Sequence, residues 1–163
     1  MAFNRNDLSR YDNLQNSISC SVSFPNYKYF YRLRMSDTTK EWAVIAFKPS
    51  LLWEKECIIC NENAARSSVS NIPVQNRIGL DVFKKIFEDI PGVYSREETG
   101  IPERYPTNPQ AEVLIPDKIE PKYILGIFFE DYKTYNKYKN KLPKELLRVQ
   151  TTPFRPRMDH NRW

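Results

Sequence analysis

The chain has 163 residues, 40% hydrophobic and 28% charged, which predicts one soluble globular domain with at most a short tail. Four glycines, with no GxGxxG and no GxxxxGK[ST], exclude Rossmann and P-loop nucleotide sites at motif level, and no stretch approaches the ~18 uninterrupted apolar residues of a membrane span. A net charge of +5 permits an anionic partner such as nucleic acid.

In chain order, residues 1–16 are polar and read as a loop or extended arm. Ser17 to Phe24 alternates small polar with apolar residues at period two, the pattern of a half-buried strand stopped by Pro25-Asn26. Tyr27, Phe30, Tyr31 and Arg34 recur at helical spacing and predict a short helix. Trp42 to Phe47 is a continuous apolar run and reads as a buried strand; Pro49-Ser50 then opens a helical turn through Trp53, and Glu56 to Cys60 is another short strand. Residues 61–77 read as a loop. Leu80, Phe83, Ile86 and Phe87 share one face of a helix over 79–89. Residues 91–110 hold four prolines and two glycines, and a structureless loop of that length in a compact domain is usually functional. Ala111 to Ile115 and Tyr123 to Phe129 are strands, the second central, and Asp131 caps a helix through Lys139. The pattern is α+β, with a domain over residues 1–145 and a basic, proline-bearing tail or docking arm over 146–163.

An odd count of three cysteines without an apolar leader argues against a secreted disulfide framework, so the chain reads as cytoplasmic. Cys57-Ile-Ile-Cys60 has CxxC spacing, but a strand points residues three apart to opposite faces, and a four-ligand site would need all three cysteines and the single histidine, His160. These are read as structural cysteines and no metal is expected. His160 lies in a polar segment and reads as solvated, and no serine stands in a G-x-S-x-G turn.

The segment Asn108-Pro-Gln-Ala-Glu-Val-Leu-Ile-Pro116 places a carboxylate, Glu112, at the head of an apolar strand directly after the long loop. On a strand Gln110 and Glu112 point to the same face. A carboxylate buried there needs a hydrogen-bond partner. Two readings are open: Glu112 faces solvent at a strand start, or it works beside Gln110 on the lip of the loop.

Gln-x-Glu resembles the catalytic strand of ADP-ribosyltransferases, whose glutamate stabilises an oxocarbenium-like ribose, a task parallel to that of glycosidase carboxylates. Three blocks carry a closer resemblance: Ser17 through Tyr31, Asn63-Ala64-Ala65, and Tyr105 through Pro116. Over roughly residues 9 to 130 the chain resembles the DarT family of DNA-targeting ADP-ribosyltransferase toxins. The resemblance implies a split mixed β-sheet with peripheral helices, NAD as co-substrate, a base in single-stranded DNA (typically thymine) as acceptor, and a macrodomain antitoxin as partner in a toxin–antitoxin or phage-defence system. It implies Glu112 as the catalytic carboxylate and Arg10 as the arginine that meets the NAD phosphates. Ser19, Tyr27 and Tyr31 fall on the cofactor side. Gln110, Tyr105, Arg104, Arg96 and Asn63 fall on the acceptor side, where cationic and aromatic side chains suit phosphates and splayed bases. Family members usually carry a His-x-Thr stretch ahead of that arginine to cradle the nicotinamide half of NAD. No histidine precedes Arg10, so the resemblance begins at the arginine. The alternative is a catalytically deficient module that holds nucleic acid or a protein on the same scaffold.

Overall fold

The computed structural model describes Leu14 and residues 16–163. In chain order the strands are β1 (Ser17–Ser21), β2 (Ala43–Phe47), β3 (Ile58–Cys60), β4 (Glu112–Pro116), β5 (Ile124–Phe129) and β6 (Leu147–Val149). The helices are α1 (Tyr27–Ser36), α2 (Leu51–Glu54), α3 (Ser67–Ser70), α4 (Leu80–Lys85), α5 (Arg96–Thr99) and α6 (Tyr132–Tyr138), so the class is α+β. Two three-stranded sheets form. In the first, β4 lies between β1 and β3 and is antiparallel to both. In the second, β5 is antiparallel to β2 and parallel to β6. A backbone bond from Lys48 N–H to the Tyr123 carbonyl, 2.8 Å, joins the exit of β2 to the entry of β5.

The run Val113-Leu114-Ile115 is apolar without alternation, and the fold covers both of its faces. Val113 and Ile115 pack with Cys57, Ile59 and Ala111 on one side; Leu114 packs with Ile58, Cys60, Ala64 and Val69 on the other. The second sheet buries Ile127, Phe129 and Leu147 under Tyr135 and Tyr138 of α6. Asp131 accepts a hydrogen bond from Thr134 N–H at 2.7 Å and starts α6 where the sequence places its cap.

Several expected elements differ. β1 ends at Ser21 because Ser23 turns the chain with φ +58°. β2 is not buried: Ile45 is 47% exposed, since this strand is the sheet's edge and only one flank and one face are covered. Leu80 stands in solvent although Phe83 and Phe87 of its run pack inward; the helix is only six residues long and Leu80 begins it. The expected loop over 61–77 contains α3 and a 3-10 turn, Val74–Arg77. The long loop over 91–110 is interrupted by α5, whose start is a capping box: Ser95 Oγ accepts from Glu98 N–H at 3.1 Å, and Glu98 returns a carboxylate oxygen to Ser95 N–H at 2.7 Å. α5 stops at Gly100, which takes the left-handed conformation, φ +62°.

The segment from 146 onward docks against the domain. β6 completes the second sheet, and Phe154 is buried against Phe30 of α1 at a ring distance of 5.6 Å. Arg34 of α1 bonds both Glu130, at 2.5 Å, and the Phe154 carbonyl, at 2.9 Å.

Leu114 is fully buried at the centre of the first sheet. Replacing it by alanine is expected to cost about 2–5 kcal/mol, read as a lower midpoint in urea denaturation with unchanged slope.

Candidate functional site

Glu112 is the first residue of β4. In register it stands opposite Ser21 of β1 and Cys60 of β3, and cross-strand partners share a face. Ser19, two residues from Ser21, lies on that face too, and its hydroxyl donates to Glu112 Oε2. The other oxygen, Oε1, accepts from the backbone N–H of Ala64 at 2.6 Å. That N–H is presented by a tight turn: Asn63 Oδ1 accepts from Ala65 N–H at 2.9 Å, and the Asn63 carbonyl accepts from Arg66 N–H at 3.0 Å. The three sequence blocks therefore meet at one carboxylate. The solvent-facing reading of Glu112 gives way to a half-buried carboxylate oriented on both oxygens. Charge held by fixed dipoles is pre-oriented for a cation developing nearby.

The remaining expected site residues divide. Gln110 is not on the strand; it sits in the turn before it, its N–H bonded to Asn108 Oδ1 at 2.8 Å, so strand alternation does not align it with Glu112. Arg96 spends its guanidinium on the loop itself, donating to the carbonyls of Tyr105 (2.8 Å), Pro102 (3.1 Å) and Glu103 (3.2 Å) and to Thr107 Oγ1 (3.0 Å). Tyr105 packs on Phe24, which follows β1, with ring centroids 5.6 Å apart, and Arg104 lies over its ring at 5.0 Å. Tyr27 is buried and donates its hydroxyl to the His160 carbonyl at 3.5 Å; burial and Asp159 push its pKa up, against Arg157. Tyr31 is 59% exposed on α1. Arg10 lies outside the described residues.

Arg157 was missed in the sequence. It is 1% exposed and is clamped by Asp159 at 2.6 and 2.5 Å. Its remaining donors reach the carbonyls of Pro106 (2.8 Å) and Thr107 (3.0 Å), and it stands 5.8 Å from the Tyr105 ring. The C-terminal segment thus holds the loop that delivers Glu112. An Arg-x-Asp triplet in a proline-bearing stretch carries no local mark of this. The Ser95-x-x-Glu98 capping box was a readable signal.

Cys57 and Cys60 belong to separate cores on opposite faces of the first sheet, as strand alternation requires. Among the described residues no group of three or more His, Cys, Asp or Glu could hold a metal ion, and no helix is long and apolar enough to cross a membrane. An apolar groove of about 570 Å³ lined by Trp53, Ile59, Ile78 and Phe83 lies on the sheet face opposite Glu112.

The family model described as "ssDNA thymidine ADP-ribosyltransferase, DarT" matches residues 23–159. No curated protein matches the chain. Among solved structures, Thermosipho africanus DarTG in complex with ADP-ribose shares the fold, with TM-score 0.55 and 20% identity over 85% of this chain. The match covers 36% of that chain, so this protein spans about a third of its length.

Arg157→Ala is expected to cost about 3–5 kcal/mol, because it strands the Asp159 carboxylate in the interior; thermal and urea unfolding measure it. Burial first, then Cys57 and Glu112, push the Cys20 thiol up to about 12. The folded state therefore keeps a proton that the unfolded chain releases near pH 9.0. Stability from this group is present below that pH and is lost as pH rises toward 12. Iodoacetamide at mildly alkaline pH is expected to label Cys20 in the unfolded chain much faster than in the native protein, as read by mass spectrometry.

Proposed function

Because the chain belongs to the DarT family of single-stranded-DNA thymidine ADP-ribosyltransferases, we propose that it moves ADP-ribose from NAD to thymine in single-stranded DNA, with Glu112 as the catalytic carboxylate. The observation that carries this reading is the carboxylate itself, held between Ser19 and the Ala64 N–H at the point where all three sequence blocks converge. Two small sheets in a mixed α/β fold support the split sheet that the resemblance implies.

The donor set fits the substrate. A carboxylate is an acceptor suited to ribose hydroxyls, and hydroxyl and backbone N–H groups beside it fix its direction. When NAD is bound, the ribose–nicotinamide bond breaks with its electron pair on nicotinamide, leaving a cationic ribose carbon. Glu112 offsets that charge, as a carboxylate does for an oxocarbenium-like glycosyl centre. Thymine in DNA has one ring nitrogen not bonded to deoxyribose; it attacks, and its proton passes to the Glu112 carboxylate. Single-stranded acceptor avoids the cost of unpairing.

We assign roles on this basis. Ser19 orients Glu112, Arg10 meets the NAD phosphates, and exposed Tyr31 lines the co-substrate side, with buried Tyr27 holding α1 to the C-terminal segment. Arg104, Tyr105 and Gln110 present the acceptor, while Arg96 and Asn63 act through the backbone they shape. No metal takes part. The partner is a macrodomain antitoxin that removes ADP-ribose, the protein acts as a toxin in a toxin–antitoxin or phage-defence system, and its DNA acceptor puts its site of action in the cytoplasm. The solved neighbour is a DarTG protein bound to ADP-ribose, which supports the nucleotide half of this reading.

Incubation with labelled NAD and thymine-containing single-stranded oligonucleotides is expected to label the DNA. Glu112→Gln is expected to lower the rate by about 10²-fold or more while leaving DNA affinity unchanged. Absence of label on DNA, RNA or protein would favour the binding-module reading instead.

A further inference from the structure

The longest run of basic residues without an acid lies late in the chain. Residues 132–144 contain Lys133, Lys137, Lys139, Lys141 and Lys144 and no acid; the other 20 basic residues are matched by the 20 acidic ones. This stretch is α6 and the turn after it, on the second sheet, whereas Glu112 is on the first.

Lys137 and Lys139 stand in the last turn and at the C-cap of α6, where the helix dipole favours a cation, but the helix does not account for the others. Lys133 and Lys137 are four residues apart, a like-charge spacing that costs about 0.2–0.5 kcal/mol on a helix. The carboxylates nearby are largely engaged. Glu41 pairs with Lys137 at 2.8 Å and accepts from Tyr138 Oη at 2.8 Å, and Asp131 caps the helix through Thr134 N–H. Glu145 follows the stretch in solvent. Among the described residues, Lys133, Lys139, Lys141 and Lys144 have no carboxylate within 4.0 Å in an ion pair.

The same surface carries rings. Tyr132 is 71% exposed, with its ring edge-on to Tyr135 at 6.2 Å. Tyr138 is fixed by stacking on Phe129 at 5.8 Å, and Lys141 lies 5.5 Å from its centroid. Several lysines and an exposed ring on one short helix and the turn after it fit a flexible chain of phosphates with accessible bases. An acidic peptide offers charge but nothing for Tyr132 to stack on.

We propose that α6 and the turn through Lys144 form a second contact surface for single-stranded DNA, one that holds the strand beyond the reacting base. This rests on the transferase reading for the identity of the strand. Lys133, Lys141 and Lys144 neutralise phosphates and Tyr132 stacks on a base.

The test is fluorescence anisotropy with fluorescein-labelled dT24 and dT6 and the full-length protein, from low to physiological salt, without NAD. The triple variant K133Q/K141Q/K144Q is expected to bind dT24 at least tenfold more weakly at low salt, with a log–log salt slope smaller by about 2, given ~0.7 per phosphate contact on a single strand. The corresponding lysine-to-arginine variant should restore both. Tyr132→Ala should lose about fivefold or more. Transfer to dT6 should be unchanged in all of them. Equal affinity and slope in wild type and the triple variant would overturn the proposal, as would polyglutamate competing as well as unlabelled dT24. Failure of the transferase reading is separable: charge-dependent dT24 binding without transfer to any acceptor sinks that reading and leaves the surface in place.

Discussion

Strand β4 has neither a free edge nor a face open to water. β1 and β3 take both of its hydrogen-bonding edges, and two separate apolar clusters take its faces. A slip of one residue would exchange Val113 and Ile115 with Leu114 between the two cores, so the register is strongly specified. Glu112 heads this strand and inherits that precision. The role proposed for Glu112 requires a carboxylate held within a fraction of an ångström; a buried sheet fixes its backbone, and Ser19 and the Ala64 turn fix its oxygens.

The loop before β4 is long, and length would ordinarily mean mobility. Two devices counter this. Arg96 gathers four acceptors from within the loop, and Arg157 reaches the loop from the C-terminal segment with its charge balanced by Asp159. Both arginines bond backbone carbonyls, so they determine the path of the chain rather than offer charge to a ligand. The aromatic and cationic groups left near the surface, Tyr105 and Arg104, then rest on a supported frame.

The second sheet carries a lysine-rich stretch without an acid over residues 132–144. At the loop before Glu112, the described side chains of Arg96 and Arg157 are taken up by backbone carbonyls. Lys133 stands on α6, and Lys139, Lys141 and Lys144 follow it, on the side of the second sheet.

The sequence by itself determined the helix cap at Asp131, the all-apolar strand after Glu112, the opposite-face placement of Cys57 and Cys60, and, through its three blocks, the family. These are local or motif-borne facts, legible because capping and alternation act within a few residues. Tertiary structure decided the rest. Whether the apolar run over Trp42–Phe47 is central or edge depends on what pairs beside it, and only β5 does. Whether Gln110 aligns with Glu112 depends on a turn closed by Asn108. Whether residues 146–163 hang free or dock depends on Phe154 and Arg157 finding Phe30 and the Pro106 carbonyl, contacts about 50 and more residues apart in the chain. Burial of an arginine is favourable only where its charge and all its donors are met: Asp159 is two residues away, but the Pro106 and Thr107 carbonyls come from distant chain that no local window contains.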